Sequence, residues 1–203
     1  MINKKNKRYL QREQEKVRKA KKWIKFFEKS KGKLNNLKTS LSSNKIFFSI
    51  DTEEHEFTKK ILEIGITTYQ LNKIESFHFI VKENYNLRNS KYVPDNKDSF
   101  NFGKSEIMNL DDIYKEVKII SDKSHYLVGH AVQNDLFFLE SIGSLSFINT
   151  FDTQIYQKHL FQNKEEISLI NLCKEFEIEP ENLHNAGNDA YYTMRCLIKI
   201  SEN

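Results

Sequence analysis

The amino-acid sequence predicts an α/β domain, a five-stranded mixed sheet with helices on both faces, preceded by a basic amphipathic helix. Three observations carry that reading. Residues 46–50 (Ile-Phe-Phe-Ser-Ile) form a continuous apolar run ending at Asp51, as expected of a central strand buried on both faces. Two β-rich runs, 61–69 and 76–81, follow with a short polar stretch between them and read as a meander. Beyond residue 109, short apolar runs alternate with segments of helical period, the pattern of strands and helices packed in layers.

Taken in order, the chain begins with a stretch from Lys4 to Lys29 that holds no Gly or Pro. Leu10, Val17 and Ile24 recur every seven residues, with Ala20 and Phe27 completing an apolar stripe on a basic helix. Residues 1–39 hold 15 Lys and Arg against 3 Asp and Glu, whereas the rest of the chain is acidic, so the formal charge of +4 conceals a strong asymmetry. Such a basic arm suits a polyanion, although its stripe could equally fold onto the body. Residues 30–43, with Gly32, two asparagines and four serines, read as a linker, which divides the chain into an arm (1–43) and a body (44–203). After the meander an irregular segment runs to about Ser105. A helix is expected from an N-cap near Asn109 to Ile120, a strand at 126–128, a helix at 134–142 and a strand at 147–148. Helices are expected again at 153–161, 168–176 and 186–200.

Composition bounds the function. With 203 residues, 38% of them hydrophobic, the chain suits one domain with an appendage, and no apolar run approaches the roughly 20 residues that cross a bilayer. Cys173 and Cys196 lie in helix-patterned stretches without C-x-x-C spacing, which argues against a disulfide framework or a thiolate zinc site and for a reducing intracellular compartment. The charged N-terminus lacks the apolar core of a secretory signal.

The chemistry concentrates at three places. Asp51 and Glu53 sit two residues apart at a strand end, so both carboxylates project from one face, an arrangement that a hard divalent cation such as magnesium or manganese relieves. Asp135 follows Gly129-His130 just beyond a second strand, and the ends of adjacent strands are where ligands collect in open α/β sheets. His184 and Asp189 flank the approach to the last helix. Each element alone has an ordinary structural reading: a solvated strand end, a carboxylate at a helix N-terminus, a polar loop.

In this order and spacing, D-x-E, then Asp after G-H-x-x-x-x, then H-x-x-x-x-D, the chain resembles the DEDDh branch of the DnaQ-like exonucleases over residues 45–203. Residues 86–89 and 92–105, with the His184-Asn185-Ala186-Gly187-Asn188-Asp189-Ala190 run, resemble the fungal "good for full" subgroup. The resemblance implies a ribonuclease-H-like sheet of strand order 3-2-1-4-5. It implies that Asp51, Glu53, Asp135 and Asp189 hold two divalent cations, Mg2+ or Mn2+, and that His184 is the general base of a 3′-to-5′ exonuclease acting on single-stranded DNA or RNA ends. Where proofreading members often carry Asn after the His and an aromatic before the Asp, this chain has Ala131 and Asn134. A non-catalytic nucleic-acid-binding module of the same fold is the competing reading.

Thr52, between the two acids, and Arg88, Phe100, Phe102 and Lys104, in the irregular segment, are the candidate nucleic-acid contacts. Phe100 and Phe102 could instead pin that segment to the core. Gly103-Lys104-Ser105 imitates the end of a P-loop, but Asp98 stands where the earlier glycine belongs. His130 reads as a core residue, and Asp152 as an N-cap.

Overall fold

A computed structural model describes residues 4–141, 146–161 and 165–202. The described residues form α1 (Lys4–Leu41), β1 (Phe47–Glu54), β2 (Ile61–Gln70), β3 (Lys73–Val81), β4 (Ser105–Met108), α2 (Leu110–Asp122), β5 (Tyr126–Gly129), α3 (Gln133–Ser141), β6 (Asn149–Asp152), α4 (Thr153–Leu160), α5 (Leu169–Glu175) and α6 (Ala186–Glu202). The sheet has the order β4-β3-β2-β1-β5-β6. β1, β2 and β3 are antiparallel, and the remaining pairings are parallel.

The α/β sandwich is as expected, but among the described residues the sheet has six strands, not five. The addition is β4, a parallel edge strand in the segment read as irregular. Its Ser-Glu-Ile-Met sequence is too short and too polar for a strand signal, and it forms because β3 offers an open edge. The last strand also differs, lying at Asn149–Asp152 rather than at 147–148. Phe147 instead stacks on Phe48. The helix expected over 134–142 is α3, and Ile142 lies outside the described residues.

Alternation along β1 separates two cores. Phe48 and Ile50 pack with Ile64, Ile66, Phe79, Ile113, Val117, Leu127 and Phe138 beneath α2 and α3. Phe47 packs on the other face with Tyr69, Val128, Phe151, Tyr156, Met194 and Leu197, beneath α4 and α6. Leu34 and Leu37 join this second core, so the segment read as a linker is helical to Leu41 and anchors α1 to the body. Gly32 and the serines do not end the helix, because burying two leucines outweighs a propensity cost of about 1 kcal/mol per glycine. The stripe farther up α1 is not buried: Val17 and Ile24 are exposed. Leu10's side chain lies outside what the structure describes. Among the described residues, no helix is long and apolar enough to cross a membrane.

Candidate active site

Register places the acidic residues. β1 aligns Asp51 with Gly65 and Glu53 with Glu63 on β2, and β3 aligns His78 with Gly65. These side chains share the face covered by α6. Gly65 is required there, since a Cβ on it would overlap the carbonyl of Ala186. The first turn of α6 therefore descends onto the sheet and brings Asp189 to Asp51. β1 is longer than the sequence suggested and carries Asp51 and Glu53 within it rather than after it.

Asp135 arrives from the other side of the sheet, in the first turn of α3. The preceding turn is braced by Asp152, which caps α4 through Gln154 N–H and also accepts the N–H groups of Ala131 (3.2 Å) and Val132 (3.3 Å). That brace holds Ala131 at φ 60, where a side chain is disfavoured. The Thr52 hydroxyl donates to Asp135 Oδ1 across 3.4 Å, so this candidate nucleic-acid contact is engaged with a carboxylate.

His184 stands at φ 63 just before α6, with a half-exposed side chain. Its backbone N–H donates to Asp189 Oδ2 (3.1 Å), and its Nδ1 lies 3.8 Å from Glu53 Oε1. Ligating atoms of Glu53, His184 and Asp189 fall within 4.8 Å of one another. Asp189 Oδ1 is buried and has no hydrogen-bond partner among the described residues. A buried carboxylate oxygen left this way is costly unless a cation meets it. The hard oxygen donors of Asp51, Glu53, Asp135 and Asp189 thus fit divalent cations.

The electrostatics agree. Burial, then the charges of Asp189, Asp135 and Glu53, pushes the Asp51 carboxyl well above its usual range. Burial and Asp189 push Glu53 up to about 8. Burial, opposed by the Thr52 hydrogen bond, raises Asp135 to about 7. Burial, opposed by the His184 N–H, raises Asp189 to about 7.

Glu63 was not singled out in the sequence. It is buried, accepts the Ala186 N–H (3.3 Å) and contacts His78 Nε2 at 2.9 Å, while His78 Nδ1 meets Ser105 Oγ at 2.8 Å. Its signal was a lone charge inside the apolar run of β2, which only a buried partner can explain. His130, read as a core residue, is half-buried and lines the cleft over Asp51 and Asp135, though both its ring nitrogens are engaged, Nδ1 with Thr153 Oγ1 and Nε2 with the Ile167 carbonyl, each at 2.9 Å.

The segment between β3 and β4 brackets the approach to α6. The Asn185 amide donates to the carbonyls of Asn96 and Lys97. Asn188 bonds Ser99 and Asn101, and Asn96 donates to the Leu183 carbonyl. Lys97 is fully buried, its Nζ donating to the carbonyls of Tyr85 and Leu87. Phe100 lies against His78 and Gly187, and Phe102 stacks on Tyr191 with ring centroids 3.5 Å apart. Arg88 is paired with Asp98 (2.7 Å) and Asp95, and Lys104 is exposed.

An open cleft of about 740 Å³ runs over Asp51, Glu53 and Asp135, with Lys59, Tyr92, Val93 and Phe137 among its walls. Arg88, Phe100, Phe102 and Lys104 are not among its lining residues. The sequence reading missed Lys59 and Phe137, which follow β1 and Asp135 closely in the chain.

Three similarities bear on this geometry. An uncharacterised nucleolar protein of Schizosaccharomyces pombe is 33% identical over 76% of this chain and 68% of its own length. Good for full DBP5 activity protein 2 of Saccharomyces cerevisiae is 29% identical over 79% of this chain, which spans only 36% of that protein. The Pan2 catalytic unit of Neurospora crassa, a protease and nuclease domain, superposes with a TM-score of 0.53 at 15% identity, covering 79% of this chain and 27% of that one, and shares the fold. Residues 46–200, from the edge of β1 nearly to the end of α6, match the DNA polymerase III subunit epsilon-like, C-terminal domain profile, and the chain belongs to that DEDDh family of DnaQ-like proteins.

Proposed function

We propose that the protein is a divalent-cation-dependent 3′-to-5′ exonuclease that releases 5′-mononucleotides from single-stranded DNA or RNA. One observation carries the reading: Asp51, Glu53 and Asp135 line one open cleft, and Glu53 also gathers with His184 and with Asp189, whose buried Oδ1 has no hydrogen-bond partner among the described residues. Asp51, Glu53, Asp135 and Asp189 would hold two cations, Mg2+ or Mn2+, which would bind the scissile phosphate and stabilise charge on the departing 3′ oxygen. His184, half-exposed beside Glu53 and held by its backbone to Asp189, accepts the proton of the attacking water as the new P–O bond forms. The P–O3′ bond breaks, leaving a 3′-hydroxyl on the shortened strand. Thr52 keeps Asp135 turned toward the site. A binding module without chemistry would have no use for the unpartnered Asp189 oxygen.

The test is the release of mononucleotides from 5′-labelled single strands of DNA and of RNA, with Mg2+ or Mn2+ and with chelator. Shortening from the 3′ end in either cation, abolished by chelator and by Asp51→Asn, is the expected result. No shortening, or equal shortening by the variant, overturns the proposal.

A further inference from the structure

We infer that Phe57, Tyr92 and Lys91 form a base-stacking platform on the lip of the cleft, which takes nucleotides on the 5′ side of the bond at the carboxylates. The inference rests on the nuclease reading and deepens it by locating the body of the strand. Phe57 is 61% exposed and Tyr92 71% exposed, with centroids 6.1 Å apart. Lys91 Nζ lies 4.8 Å from the Tyr92 centroid and 6.0 Å from that of Phe57. Two large rings in water beside a cation offer π-faces for any base and charge for the phosphate between bases.

The platform is held in place. The Glu56 carboxylate accepts the N–H groups of Lys91 (3.1 Å) and Tyr92 (2.8 Å). The buried Asn89 amide bridges the end of β1, donating to the Glu54 carbonyl and accepting from Glu56 N–H, both at 2.9 Å. These bonds fasten the backbone that carries Tyr92 and Lys91 to the end of the strand that holds Asp51 and Glu53, which lowers the ordering cost of binding. Tyr92 and Lys59 wall the same cleft as the carboxylates, which makes the occupant of the platform continuous with the strand end below. That continuity favours a polynucleotide over a protein partner. Arg88, in the same segment, has its charge engaged by Asp98 and Asp95.

The experiment uses the full chain and two probes. Fluorescence anisotropy with chelator compares a labelled dinucleotide with a strand of about ten nucleotides, within the span such sites cover. Hydrolysis of the p-nitrophenyl ester of thymidine 5′-monophosphate by the wild-type protein in Mn2+ tests the nuclease reading separately, because this ester is too short to reach the platform. Tyr92→Ala should cut the affinity gained between the two lengths by about tenfold, and Phe57→Ala with Tyr92→Ala by more. Tyr92→Trp should restore it. A wild-type protein that binds the long strand but leaves the ester intact would overturn the nuclease reading while the length dependence still judges the platform. An unchanged length dependence in Tyr92→Ala, whose exposed ring makes misfolding no explanation, overturns the platform.

Discussion

The floor of the cleft and the bracket beside it are both rigid, but for different reasons. The floor is fixed by periodic structure: the register of β1 against β2 and the descent of α6 onto Gly65 put Asp51, Glu53 and Asp189 together. The bracket is fixed by single hydrogen bonds from Asn185, Asn188 and Lys97 to backbone carbonyls of a segment with little regular structure of its own. The difference teaches where charge and where geometry are controlled. Carboxylates repel and need a stiff sheet to hold them, whereas the imidazole of His184 needs only a turn held at the right angle.

The sharpest way to break the floor is Asp51→Asn. Activity should vanish, because a carboxylate that faces Asp189, Asp135 and Glu53 is lost, while the metal-free thermal midpoint should rise, because its repulsion with those three is relieved. Turnover and calorimetry on the same sample check both halves. Next in size, His184→Ala should lower turnover about a hundredfold with cation affinity kept, measured by titrating Mn2+ against turnover. A loss of cation affinity would make His184 a ligand and not a base.

The bracket breaks differently. Asn185→Ala removes a buried amide that donates to two carbonyls and accepts the Asn188 N–H, so about 1–3 kcal/mol of stability should go with it. Turnover at a temperature where the variant is folded should fall about tenfold through the displaced His184. Unchanged turnover would show that the bracket supports the fold alone.

This contrast also explains how much could be read from the sequence. The floor was legible because strand alternation and helix starts follow fixed periods, and a carboxylate at the end of an apolar run stands out. The bracket was not, since side-chain bonds from Asn96, Asn185 and Asn188 to distant carbonyls leave no period in the chain. The sixth strand was hidden because a four-residue edge strand forms on a partner's demand rather than its own propensity. The anchored end of α1 was hidden by Gly32 and the serines, although Leu34 and Leu37 were one helical turn apart and faced one way.

Acidity offers a subtler test of the floor. In the folded protein the carboxyls of Glu53, Asp135 and Asp189 are pushed up to about 8, 7 and 7 from ordinary values of 4.5, 3.8 and 3.8. For raised carboxyls the folded state holds more protons than the unfolded one, so stability falls as pH rises through these values. Burial of His130 lowers its pKa and acts oppositely, but only below the ordinary histidine value of 6.5. The thermal midpoint of the chelated protein should therefore decline between about pH 6.5 and 8, and Mn2+ should flatten the decline. A decline that Mn2+ leaves untouched would place its origin outside the carboxylates.

The smallest effect belongs to α1. Its last turns are buried through Leu34 and Leu37, whereas residues 1–29 carry 12 Lys and Arg against 3 Asp and Glu, with Val17 and Ile24 exposed. Removing residues 1–29 spares the buried anchor, so the body should keep its thermal midpoint and the short ester its hydrolysis. Each phosphate that the arm neutralises releases counterions from a single strand, at about 0.7 per contact. The truncated protein should therefore show weaker strand binding and a flatter dependence of log Kd on log salt concentration, the slope dropping by about 0.7 for each lost contact. Two of the arm's cations, Lys16 and Arg18, are paired with Glu13 and Glu15 at its surface, so fewer contacts than lysines and arginines should be lost. An unchanged slope would assign the arm's charge to some other surface and leave strand binding to the cleft and its aromatic lip.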